Sequence, residues 1–266
     1  MTITTLGGAA LHVLTTAEAE AKAAASRDMA ALWFEGRLAI AFPSPPPDRP
    51  ARPEKPVLLA PRHMPKRRAG GSVANRAALL HALAHIEFNA IDLAWDLMAR
   101  FGPQGWPRGF FDDWVKVADD EARHFQMLAA RIKDFGMAYG DLPAHDGLWD
   151  AACATAQDAL ARLAIVPLVL EARGLDVTPG TAARLSRLGD LESAAILQQI
   201  YHDEINHVAA GKRWLDYLCS EKGLVPSTVY QAAVRTHFKG ALKAPFNETA
   251  RTLAGLLPDF YLPLTD

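Results

Sequence analysis

Two short stretches of the chain carry one chemical pattern. Asp120-Glu121-x-x-His124 and Asp203-Glu204-x-x-His207 are both Asp-Glu-x-x-His, 83 residues apart. On a helix, residues three apart share a face, so each Glu-x-x-His can offer a carboxylate and an imidazole to one cation. Two more acids complete the pattern. Glu87 precedes Glu121 by 34 residues and Glu171 precedes Glu204 by 33, while Glu121 and Glu171 are 50 apart.

All four glutamates fall within apolar stripes at helical spacing. Glu87 sits among Leu79, Leu80, Leu83, Ile86, Ala90, Ile91, Ala94, Leu97 and Met98, and Glu121 and His124 among Trp114, Val117, Phe125, Leu128 and Ile132. Glu171 follows Leu160, Leu163, Ala164 and Leu168 by a turn, and Glu204 and His207 lie within Leu197, Ile200, Tyr201, Val208 and Leu215. A carboxylate on a core face is costly unless paired, hydrogen-bonded or bound to a metal. Those faces carry no matching lysines or arginines but do carry two histidines. Four acids and two imidazoles make a poor salt-bridge network and a good cation cage. The competing reading is a coincidence of helix-surface residues. A single Glu-x-x-His would not exclude it, but two copies, each with an upstream glutamate at near-equal spacing, argue against it.

The intervals of 34 and 33 fit two antiparallel helical hairpins, and the gap of 50 leaves room for a crossover. Glu…Glu-x-x-His, crossover, Glu…Glu-x-x-His is the arrangement of di-iron carboxylate sites in four-helix bundles. Carboxylate-rich sites with one imidazole per metal suit iron, with manganese or zinc as alternatives. Asp120 and Asp203 recur at symmetric positions and are expected to fix the histidine rings. Tyr201, three before Glu204, is expected to pack in the core, with a hydrogen bond to a ligand as the sharper alternative. His85, two before Glu87, should face away from it as a surface or inter-helix histidine. His202 is not a ligand by spacing.

The elements that must position these residues read as helices and punctuation, with no period-2 strand pattern. A first helix is expected near 15–40. Nine of the 18 prolines lie between Pro43 and Pro65, so that stretch is extended, either a linker or, preferably, an arm on the surface. Ser72 can cap a helix over 73–101 that stops at "FGPQGWP". Others are expected over 108–136, over 150–173 up to Gly174, over 181–221 after "DVTPG", and after Pro226. Pro167, four before Glu171, should kink or break its helix. The expected organisation is one all-α domain: residues 1–72 a helix and the proline-rich arm, 73–221 a metal-binding four-helix bundle with a long crossover, 222–266 a C-terminal extension.

Composition bounds the function. The chain has 266 residues, 50% hydrophobic and 22% charged, with net charge −2. That suits a globular core and shows no global basic field for nucleic acid. Two cysteines 66 apart, Cys153 and Cys219, make neither a disulfide framework nor a zinc-ligand spacing. With no basic n-region and no long apolar run, the expectation is a cytoplasmic protein that does not enter the membrane. The basic cluster of Arg62, Lys66, Arg67 and Arg68 is read as a solvated loop in preference to an RNA contact.

Through "LLHALAHIEFNAIDLAWD" and "ILQQIYHDEINHV" the sequence resembles the ferritin-like superfamily. More narrowly it is similar to a domain-of-unknown-function branch of it, distantly related to tRNA-modifying di-iron hydroxylases. The resemblance covers most of the chain. It implies a bundle holding two metals, bridged by Glu121 and Glu204, with Glu87 and Glu171 as terminal carboxylates and one histidine, His124 or His207, on each metal. The favoured activity is an oxygen-dependent hydroxylation of a small molecule or modified base, fed by an external electron donor, in a monomer or dimer. Iron handling (ferroxidase or peroxide scavenging) and a non-catalytic, metal-stabilised binding protein are the alternatives.

Overall fold

The computed structural model describes residues 2–65, 71–239 and 241–265. Its elements are helical, and the described residues form no strand beyond isolated bridges. The chain divides into two compact units, Met1–Trp149 and Asp150–Asp266.

The first unit opens with two helices, α1 (Leu6–Thr15) and α2 (Ala19–Phe34), where one was expected near 15–40. The break comes at Thr16–Glu18. The Thr16 N–H closes α1 onto His12 and Val13, and the Glu18 carboxylate accepts from the N–H groups of Glu20 and Ala21 to start α2. Thr5 caps α1 through Gly8. Gly7 is needed because residues 39–42 cross this helix start. The Gly7 N–H donates to Ala41 at 3.0 Å, and a Cβ there would sit 2.7 Å from the same oxygen.

α3 (Val73–Phe101) and α4 (Arg108–Asp134) form a helical hairpin, packed by α1 and α2. Ser72 caps α3 as expected, accepting from the Asn75 N–H at 3.3 Å. The apolar stripe of α4 is buried throughout, but Ile86 of the α3 stripe is 42% exposed, whereas His81 and His85 are buried. The covered face is wider than the hydrophobic pattern because the loop after α4 closes over the polar side. Tyr139 hydrogen-bonds His85 Nδ1 at 2.9 Å, and the Gly140 N–H donates to His81 Nε2 at 2.9 Å. His85 is therefore no surface histidine. Burial, then the nearby Arg52 charge, pushes its pKa down to about 3, so the ring is neutral.

The proline-rich stretch is an arm bound to this unit. Ala51 and Leu59 donate backbone hydrogen bonds to Leu14 and Ala144, and the Arg52 guanidinium reaches Asp92 at 2.9 Å and Asn89 at 2.6 Å. The wholly buried Lys22 ammonium bonds both Asp92, at 2.6 Å, and the Ala51 carbonyl, at 2.9 Å. Burial pushes the Asp92 carboxyl up and the Lys22 ammonium down, and their mutual attraction opposes both shifts. Lys66, Arg67 and Arg68 of the basic cluster lie outside the described residues. Arg62 is exposed beside His63.

The chain passes into the second unit through α5 (Gly147–Ala154). There follow α6 (Ala159–Ile165), a π-helical segment at Val166–Glu171, α7 (Ala172–Arg187), α8 (Leu191–Glu221), α9 (Pro226–His237), α10 (Glu248–Leu253) and α11 (Pro258–Tyr261). The helix expected to stop at Gly174 instead runs through Gly174 and Pro179 to Arg187. A proline inside a helix leaves the carbonyl four residues earlier without its N–H. That carbonyl belongs to Leu175, and the Asn247 side-chain amide donates to it at 3.1 Å. α7 and α8 form the second helical hairpin.

No helix among the described residues is long and apolar enough to cross a membrane. Cys153 and Cys219 are both free thiols, the first exposed and the second buried.

Candidate metal centre

In the first unit, α3 supplies Glu87 and α4 supplies Glu121 and His124. Each offers a ligand atom, and these atoms lie within 4.8 Å of one another. His124 Nδ1 stands 3.2 Å from Glu87 Oε2 and 3.5 Å from Glu121 Oε2. All three residues are buried, His124 completely. Phe88 and Phe125, next to Glu87 and His124 along their helices, meet at a tilt with ring centroids 5.6 Å apart and help close the two helices around the polar group. Two carboxyls held this close in a dry place resist ionising together. Burial, and then the charge of Glu121, pushes the Glu87 carboxyl well above its ordinary value of 4.5, while its hydrogen bond to His124 pulls the other way. A divalent cation would remove that penalty by supplying the missing positive charge. Two carboxylates and an imidazole are a donor set that fits one, so this cluster could hold a metal ion.

In the second unit, α8 carries the matching motif. His207 Nδ1 lies 3.5 Å from Glu204 Oε1, the same spacing as in the first motif, and both residues are buried. Glu171 ends the π-helical segment and is half-buried. The break anticipated at Pro167 is therefore a register change within a continuous helical path.

The residues flanking the motifs also bond along their own helices. Buried Asp120 pairs with Lys116 and, at 2.9 Å, with Arg123 on its own helix. Half-buried Asp203 accepts from the Gln199 amide at 3.0 Å, also along its own helix. Tyr201 is half-buried and its hydroxyl accepts from the Asn247 amide at 3.1 Å, tying α8 to the segment that precedes α10. His202 is exposed.

The spacing of the motifs does not announce the buried polar group on the other face of α3: Lys22, Asp92, Asn89 and Arg52. The signal was present in "HIEFNAIDLAWD", where Asn89, Asp92 and Asp96 interrupt an apolar run as conspicuously as Glu87 does.

The fold and site thus define an all-helical protein with a buried carboxylate–imidazole cluster able to hold a metal ion. Residues 15–262 match the family described as "Protein of unknown function (DUF455)", and the chain belongs to that family. It is also 41% identical over 210 residues to an uncharacterized protein of Haemophilus influenzae, covering 77% of this chain and 73% of that one. No solved structure matches the chain.

Proposed function

We propose that the protein holds two metal ions, iron in the cell, and uses them in an oxygen-dependent oxidation of a small molecule or modified base. Glu87, Glu121 and His124 would supply one half of the ligand set, and Glu171, Glu204 and His207 the other. The observation that carries this reading is the buried contact among Glu87, Glu121 and His124, where two carboxyls share a space that only protons or a cation make tolerable. The repetition of Glu-x-x-His at the same 3.5 Å spacing on α8 supports a second, equivalent metal position.

Two reduced irons sharing carboxylates can activate dioxygen. The chain's own contribution is to fix the donors and keep bulk water away. Glu87 would lose the proton that burial favours on it when a cation binds there, and His124 Nδ1 stands near both carboxyls. Electrons would come from an external donor, since the sequence carries no flavin or nicotinamide fingerprint. The test is anaerobic loading with ferrous iron followed by a single addition of oxygen. The reading expects stoichiometric oxygen consumption and an optical change that Glu121→Ala abolishes. No oxygen uptake by protein that retains two irons would overturn the oxidative role.

A further inference from the structure

The π-helical segment before Glu171 has a specific cause and a specific support. In a regular helix the Ala172 N–H would bond to the carbonyl of Leu168. Here it reaches Pro167, five residues back, and shares itself with Val169. The skipped Leu168 carbonyl is instead bonded by the Tyr230 hydroxyl from α9, at 3.3 Å. Tyr230 is wholly buried, and burial pushes its phenol far above its ordinary range, so it stays a donor.

Pro167 starts the wide turn. In an α-helix its ring would crowd the carbonyl four residues earlier and it has no N–H to give. The ring is accommodated by α8, where Gly211 faces it. A Cβ on Gly211 would come within 2.4 Å of both Pro167 Cβ and Cγ. Gly211 lies one turn beyond His207 and two beyond Glu204, on the same side of α8. The π turn is therefore seated on the stripe that carries the second motif. A π turn adds one residue relative to α register. Loss of it would rotate Glu171 about 100° against the residues before Pro167.

We propose that Tyr230, together with the Pro167–Gly211 contact, positions Glu171 as a metal ligand by holding the Val166–Glu171 segment in π register. This rests on the binuclear reading above. Tyr230 itself touches no metal. It acts by occupying the one carbonyl that would otherwise recapture the Ala172 N–H and return the segment to α register. π-helical turns recur at functional sites because they re-aim a side chain without breaking the helix.

The test is cobalt(II) titration of the full chain, followed by its visible absorption. Wild type is expected to bind two cobalt ions with two ligand environments. In Tyr230→Phe the ring still packs against Phe260, so the first site is retained. The second is expected to weaken about tenfold or more, the usual scale for removing a group that orients a ligand, with loss of its absorption component. Faster exchange or changed protection at the Ala172 amide, measured on metal-free protein, should accompany it. Two cobalt ions bound with wild-type affinity and spectrum in Tyr230→Phe would overturn the positioning role alone. A wild type that binds fewer than two would overturn the binuclear reading instead. Should Tyr230→Phe fail to fold, the pair Gly211→Ala and Gly211→Ala/Pro167→Ala decides. The double variant removes the clash and restores the N–H, so thermal stability should return while the second cobalt does not. Return of both would make the contact merely structural.

Discussion

The two Glu-x-x-His motifs are alike in sequence and differ in how the chain holds them. In the first unit, Glu87, Glu121 and His124 sit on two long, uninterrupted helices, and the other face of α3 is fastened by Lys22 and the proline-rich arm. In the second, Glu204 and His207 sit on α8, but the upstream Glu171 hangs from a π turn, a proline and a remote tyrosine. Packing and ion pairs hold the first motif's helices, and backbone register holds the glutamate upstream of the second. The same sequence pattern is delivered by either means, and the two means should fail differently.

The largest expected effect is on the first half. Lys22→Ala leaves the Asp92 carboxylate buried with Arg52 as its remaining cation, and should cost about 3–5 kcal/mol. Hydrogen exchange should show the loss in α2, α3 and the arm. Exchange unchanged there would mean that the arm, not the ion pair, holds this unit.

Gly211→Ala comes next and should strike the second half. Overpacking against Pro167 should cost about 1–3 kcal/mol in denaturant unfolding, with the loosened amides confined to the π segment, α7 and α8. Asn247→Ala should follow at about 1–2 kcal/mol, because it exposes the Leu175 carbonyl that Pro179 leaves without a partner. A neutral result would mean that α7 tolerates its internal proline without help.

The smallest effect has the opposite sign. Glu87 has a folded pKa raised above its ordinary 4.5, so its contribution to metal-free stability is fully present below 4.5. It is lost as pH rises through the folded value. Melting temperature of metal-free protein should therefore fall as pH rises above 4.5. Glu121→Gln removes the like charge beside Glu87, so it should flatten that slope and stabilise the metal-free form near neutrality. A slope unchanged in Glu121→Gln would remove the carboxyl pair as its source.

Much of the first half was legible in the sequence because its signals are local. The Ser72 cap, the "FGPQGWP" stop and the 34-residue interval were enough to place α3, α4 and the grouping of Glu87 with Glu121 and His124. The α1–α2 division was not legible. The crossing of residues 39–42 that requires Gly7 at the start of α1 lies more than thirty residues away. The second half hid its register for the same reason. Gly174 and Pro179 are stop signals whose cancellation depends on Asn247, 72 residues from Leu175. Pro167 announced an irregularity, but the choice of a π turn over a break depends on Tyr230 and Gly211. The burial of His85 was not legible, because helical periodicity shows which way a residue points, here away from Glu87, and not that the Tyr139 loop covers it.

If the two motifs together hold one pair of metal ions, as proposed, then each motif should be needed for the pair. Iron reconstitution under anaerobic conditions, followed by metal analysis of wild type, Glu121→Ala and Glu204→Ala, tests it most directly. Close to two irons per chain are expected in wild type, with loss of the pair in both variants, although each alters only one motif. Two irons retained in either variant, or one or none in wild type, would contradict it.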